Sequence, residues 1–168
     1  MNRTTNLSNF SNNPKQKNNF LTYEPILDFI YNYDFDENGV FFYLGTLGKT
    51  ITYKNPHLIQ QVKAFYSSLG KGDICNLVGR DLINLRTLNE PFSFFGVDFG
   101  EDRFFCPTSY TIRNRNSSTH VLLNWILEAS NDKVNFEILD SRKFKSNDLE
   151  LDNRLERDRN QLKVFFLF

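Results

Sequence analysis

The stretch Asn124-Trp125-Ile126-Leu127-Glu128-Ala129-Ser130-Asn131-Asp132, followed by Phe136-Glu137-Ile138-Leu139, decides the fold. An apolar run stops at Asn131-Asp132, a turn pair, and a second apolar run starts a few residues on, which predicts a β-hairpin. Alternation puts Trp125, Leu127 and Ala129 on one face and Ile126, Glu128 and Ser130 on the other. Trp125 then belongs in the core, where its indole N–H needs an acceptor.

The same pattern recurs on both sides of this hairpin. Val40-Phe41-Phe42-Tyr43-Leu44 lies between Asn38-Gly39 and Gly45, and Val62-Lys63-Ala64-Phe65-Tyr66 stops at Ser67-Ser68. Phe94-Phe95-Gly96-Val97-Asp98-Phe99 stops at Gly100, and Ser109-Tyr110-Thr111-Ile112-Arg113 follows Pro107. Each reads as a strand, with Asp98 and Gly100 closing theirs because glycine tolerates a positive φ. Tyr110 and Ile112 join Trp125 and Leu127 as expected core residues. Residues 148–163 fit a short helix or a long solvated loop equally, and 162–168 form an apolar, strand-like run. Short strands separated by frequent turn signals define an all-β sandwich.

Composition bounds what such a domain can do. The 168 residues suffice for one domain plus a tail, and 18 Phe, 7 Tyr and 1 Trp supply an aromatic core. Residues 1–22 are read as a flexible Asn-rich tail and 23–168 as the globular domain. With 20 Lys+Arg against 20 Asp+Glu there is no net field to draw in phosphate backbones, which argues against nucleic-acid binding. No apolar leader or membrane-length run occurs, so the chain reads as intracellular, cytoplasmic and not membrane-inserted. Two cysteines and two histidines are too few for a metal cage, and no cofactor is expected.

Candidate chemistry is sparse. His57 and His120 have no nucleophile or carboxylate motif beside them, and surface or loop positions explain both. Cys75 and Cys106 are read as reduced, packed as small hydrophobes. Asp34, Asp36 and Glu37 read as a solvated turn, and Gly70-Lys71-Gly72 as a loop lacking the rest of a phosphate-binding motif. Arg113, Arg115 and His120 flank one connection, and Arg80, Asp81 and Arg86 another. Either set could rim a binding surface at the loop end of a sandwich. The expected protein is therefore not an enzyme.

Taken in order, 38–46, Lys54-Asn55-Pro56, 94–100, Cys106-Pro107-Thr108 with the strand after it, and the 123–132 hairpin together resemble a known family. They are similar to the galactose-binding-like, coagulation factor 5/8 type C (discoidin-like) jelly rolls. The closest variety is the intracellular one found in HECT-type ubiquitin ligases and BTB/POZ proteins, and the resemblance spans about residues 36–140. It implies a jelly-roll β-sandwich that binds a protein partner, in a ubiquitin-ligase adaptor or another larger assembly. The alternative it implies is a carbohydrate-binding domain, with Tyr53, Asn55 and His57, or Arg113 and His120, at the sugar. Two departures stand out. Phe136 occupies a position that is usually Trp, and no closing strand follows Lys163-Val164-Phe165-Phe166. An incomplete sandwich is thus expected, with unpaired backbone beside Phe165, Phe166 and Phe168.

Overall fold

A computed structural model of the chain describes residues 10–11, 27–33, 35–81, 83–101, 103–107, 109–112, 120–122, 124–143, 156–157 and 162–167. Their regular elements are mostly strands with little helix, as an all-β fold requires. In chain order they are β1 (Phe10–Ser11), α1 (Val40–Gly45), β2 (Lys63–Tyr66), a 3-10 turn (Ile74–Leu77), β3 (Phe94–Asp98) and β4 (Phe104–Phe105). Then come β5 (His120–Val121), β6 (Asn124–Ser130), β7 (Glu137–Lys143), β8 (Glu156–Arg157) and β9 (Leu162–Leu167). One five-stranded sheet has the order β2-β3-β9-β6-β7, and β1-β4 and β5-β8 form two short pairs. Of the expected tail, Phe10 and Ser11 pair with Phe105 and Phe104; the rest of residues 1–22 lies outside the described residues.

The β6–β7 hairpin forms where the turn pair predicted it, with antiparallel pairing from Asn124↔Lys143 to Ala129↔Glu137. Asp132 shapes its loop, accepting from Val134 N at 2.9 Å, Asn135 N at 2.7 Å and Ser130 Oγ at 3.0 Å. These bonds favour the charged carboxylate and hold its pKa far below the usual range, the Asn135 amide contributing most. The register slips between Leu127 and Glu128, so Leu139 is the extra residue of a bulge in β7.

The expected bare edge at the C-terminal run is not found. Residues 162–167 lie inside the sheet, parallel to both neighbours, with Gly96↔Phe165 on one side and Glu128↔Phe165 on the other. Both flanks of Phe165 and Phe166 are therefore laddered; Phe168 lies outside the described residues. The strand β9 joins β3 to β6, which do not pair with each other among the described residues.

Two expected strands are replaced. Val40-Phe41-Phe42-Tyr43-Leu44 is helical, because Val40 and Leu44, four apart, fall on one face and both enter the core. Thr46 then ends the helix, its hydroxyl donating to Phe42 O at 2.9 Å. Residues 109–112 are not in a strand, and Arg113 lies outside the described residues. Here side-chain bonding replaces laddering: Trp125 Nε1 donates to Tyr110 Oη at 2.9 Å, and Tyr110 Oη donates to Asp140. Arg142 Nε adds a 2.7 Å bond to the same carboxylate. The indole thus has the acceptor it was expected to need.

Phe29, Val40, Leu44, Val97, Phe99, Phe105 and Leu127 belong to the buried core, and Tyr110 packs against it. Of the expected core residues, Leu127 is fully buried while Trp125 and Ile112 are half-buried. On β6 both faces are covered toward the hairpin, where Glu128 and Ser130 are as buried as Leu127 and Ala129. Gly96 is required by a close approach: a Cβ there would stand 2.2 Å from Phe65 Cζ, since the ring of its cross-strand partner lies over it. Two further expectations change. Asp36 is buried, not solvated, and accepts from Asn32 N at 2.7 Å and Asn38 N at 3.1 Å. Cys106 is exposed, while Cys75 is half-buried; burial, and then Asp73, pushes the Cys75 thiol up.

Candidate functional site

An open cleft of about 680 Å³ lies where β2 begins and β3 ends. Lys63 and Asp98 are paired across the ladder at this point. One wall is the loop carrying His57, Leu58, Gln60 and Gln61; the other is the turn after β3, with Gly100, Glu101 and Arg103. Val62 and Phe99, both buried, also line it. Phe99 is fixed by stacking on Phe41 at 5.9 Å and packing on Phe105 at 5.0 Å.

Local sequence dictates both walls. Asn55 Oδ1 accepts from His57 N at 2.9 Å, and Asn55 Nδ2 donates to Cys75 O at 2.8 Å, which anchors the loop to the 3-10 turn. Pro56 is fully buried, and its carbonyl accepts from Gln61 N at 2.8 Å. On the far wall, Asp98 Oδ1 accepts from Gly100 N at 2.9 Å, and Gly100 takes a φ of 85°. This is the strand-closing role expected of the two residues. Arg103 crosses between the walls, donating to Gln61 O and, at 2.8 Å, to Gln61 Oε1.

The electrostatics are mixed and largely paired. Asp98 Oδ2 meets Lys133 Nζ at 2.7 Å, which ties the β6–β7 loop to the cleft and raises the Lys133 pKa. His57 Nδ1 accepts from Ala64 N at 3.0 Å, so in the neutral ring Nε2 carries the proton and is a donor. Lys63 and Glu101 are exposed on the rim. Among the described residues no group of three or more His, Cys, Asp or Glu side chains could hold a metal.

The residues singled out in the sequence fall in three places. His57 lines the cleft. Tyr53, Asn55 and Arg80 do not line it and are bonded within the chain. Tyr53 stacks on Phe42 at 5.6 Å with an interplanar angle of 5°, and its hydroxyl donates to Val78 O at 3.3 Å. Burial raises its pKa, and the nearby Arg80 charge partly offsets that. The Arg80 guanidinium lies 4.9 Å from the Phe42 centroid and 5.8 Å from that of Tyr53, and it donates to Phe35 O and, at 3.0 Å, to Asp36 O. Arg113 and Arg115 lie outside the described residues, and of His120 the backbone alone is described, paired with Glu156.

Gln61, Glu101 and Arg103 went unnoticed in the sequence, while Lys63 was assigned only a place in a strand and Asp98 only a turn role. The available signal was the Lys63–Asp98 pairing, which places the loops after Asn55 and after Asp98 side by side. That pairing is a tertiary fact.

Comparison with known proteins points to one setting. A 110-residue match is 34% identical to the E3 ubiquitin-protein ligase Ufd4 of Drosophila melanogaster. A 112-residue match is 36% identical to the E3 ubiquitin-protein ligase hecd-1 of Caenorhabditis elegans. Each covers 62% of this chain, and the chain spans only 4% of the length of either relative. No family model matches the chain, and no solved structure matches it. A relationship to ubiquitin ligases agrees with the setting that the sequence resemblance implied. No described helix is long and apolar enough to cross a membrane.

Proposed function

We propose that this chain is a non-enzymatic recognition module that binds a protein partner in the service of ubiquitin ligation, within the cytoplasm. We further infer that its sheet belongs to a galactose-binding-like jelly-roll sandwich. The observation that carries the reading is the 34–36% identity to two E3 ubiquitin-protein ligases over a segment that makes up 4% of each. A segment of that size suits a binding part of a large assembly. The cleft supports it: an open cleft with exposed Lys63 and Glu101 and buried Val62 and Phe99 in its lining suits a polypeptide segment better than an enclosed small molecule. Two of its charged groups are engaged within the chain, Asp98 with Lys133 and Arg103 with Gln61, while Lys63 and Glu101 stand exposed.

The test is capture from native lysate with the full chain and with Lys63→Glu, with a galactose wash before elution. Proteins that survive the wash and are lost with Lys63→Glu support the module and its cleft. Glycoproteins released by the sugar would replace this reading with the carbohydrate-binding one. Turnover of any substrate by the purified chain would overturn the non-enzymatic assignment.

A further inference from the structure

The cross-strand pair at the cleft holds two opposite charges that do not bond to each other. Lys63 and Asp98 are partners in the β2–β3 ladder, so their side chains leave the same face of the sheet side by side. Lysine and aspartate in that relation attract. Asp98 is nevertheless taken by another element: its Oδ2 accepts from Lys133 Nζ at 2.7 Å. Its Oδ1 is engaged as well, accepting from Gly100 N at 2.9 Å. Both carboxylate oxygens are thus committed, and among the described residues the exposed Lys63 ammonium has no ion pair or hydrogen bond.

The reach of Lys133 to Asp98 is built on a loop that is fixed without it. Asp132 holds the β6–β7 turn by accepting from the backbone N–H groups of Val134 and Asn135, from Asn135 Nδ2 at 2.6 Å and from Ser130 Oγ. The Lys133 side chain takes no part in those bonds. It is directed at Asp98, 35 residues away in the chain. Its hydrogen bond and charge pairing with Asp98, and then the charge of Glu101 on the same wall, raise its pKa, so it is cationic at neutral pH.

We propose that Lys133 sets the specificity of the cleft: by pairing with Asp98 it leaves Lys63 free, and the polypeptide segment the cleft takes carries a carboxylate for Lys63 to bind. This assignment rests on the protein-binding reading above and names the chemistry of the segment. Without Lys133, Asp98 would quench Lys63 from across the ladder, and together with Glu101 it would turn the cleft toward cations. Lys133 is a positioning residue in this scheme, acting on the ligand only through Asp98 and Lys63.

The experiment measures retention on an array of synthetic peptides, each sequence made with Asp or Glu, with Asn or Gln, and with Lys or Arg at the same positions. The full chain is compared with Lys133→Ala, Lys133→Arg and the double variant Lys133→Ala/Asp98→Asn. The parent chain should hold the acidic versions in preference to the amide and basic ones. Lys133→Ala should weaken the acidic versions about fivefold, the effect of one partly exposed charge pair, and Lys133→Arg should keep them. Asp98→Asn retains an Oδ1 acceptor for Gly100 N but has no charge to draw in Lys63, so the double variant should recover acidic binding. A purely structural role for the Lys133 tie would give no such recovery. Acidic binding undiminished in Lys133→Ala, or not recovered in the double variant, overturns the proposal and leaves the polypeptide reading in place. A parent chain that holds all three versions alike, or prefers the basic ones, does the same. Retention of no peptide by the parent chain would overturn the polypeptide reading itself, and this assignment with it.

Discussion

At one end of the β2–β3 ribbon Lys63 faces Asp98, and the loops beyond are braced by side chains: Asn55 on His57 and Cys75, Arg103 on Gln61, Lys133 on Asp98. At the other end Ser67 meets Phe94, and the turn that follows from Glu90 leaves Phe92 79% exposed in a left-handed conformation. The first end uses its polar groups to build a shape, and the second leaves an apolar ring exposed. The contrast teaches that polar residues in a loop are not by themselves a sign of a ligand. Tyr53 and Asn55, read in the sequence with His57 as sugar-site candidates, and Arg80, read as part of a binding rim, each have a bond or ring contact within the chain.

Substitution can break the contrast from either side. The largest effect is expected at the floor of the cleft, where Phe99→Ala removes a fully buried ring; loss of about 3–5 kcal/mol should appear in urea unfolding. Unchanged stability would mean that the cleft floor is not part of the core. Gly96→Ala, midway along the ribbon, would drive a Cβ into the Phe65 ring. The expected cost is about 1–3 kcal/mol, with partial recovery in Gly96→Ala/Phe65→Leu; no recovery would show that the ring is not the obstacle.

A pH effect is expected at the β6–β7 loop that Lys133 ties to the cleft. The Asp132 pKa is depressed in the folded chain, so its contribution is present above the unfolded value of about 4 and is lost as pH falls toward the folded one. Amide exchange at Val134 and Asn135 should therefore quicken on acidification before exchange in β6 does, and Asp132→Ala should abolish that difference. Simultaneous quickening of loop and strand would show that Asp132 does not govern the loop separately. The smallest effect belongs to Phe92→Gly, expected to leave stability within about 0.5 kcal/mol of the parent or raise it. A clear loss would mean that the ring packs within the chain.

The hairpin was legible because its signals are local: an apolar run, Asn131-Asp132, a second apolar run, and Trp125 with one polar atom to satisfy. The strand-closing Asp98 and Gly100 were legible for the same reason. The helix Val40–Gly45 was misread because five β-prone residues between two turn signals look alike in either state, and its i, i+4 burial was decided by what it packs against. Residues 109–112 were misread because a side-chain network among Tyr110, Trp125 and Asp140 took the place of a ladder.

The sequence by itself determined a β-rich, aromatic-cored chain of zero net charge, the places where its strands turn, and a resemblance that led to ubiquitin ligases. Only the tertiary structure decided that residues 162–167 fill the middle of the sheet, that the cleft lies between the loops after Asn55 and Asp98, and that Phe92 stands in the open. Turns and alternation depend on neighbours a few residues apart, which a sequence displays directly. Strand order, loop juxtaposition and exposure depend on partners tens of residues away, and those are chosen by packing and backbone pairing over the whole chain.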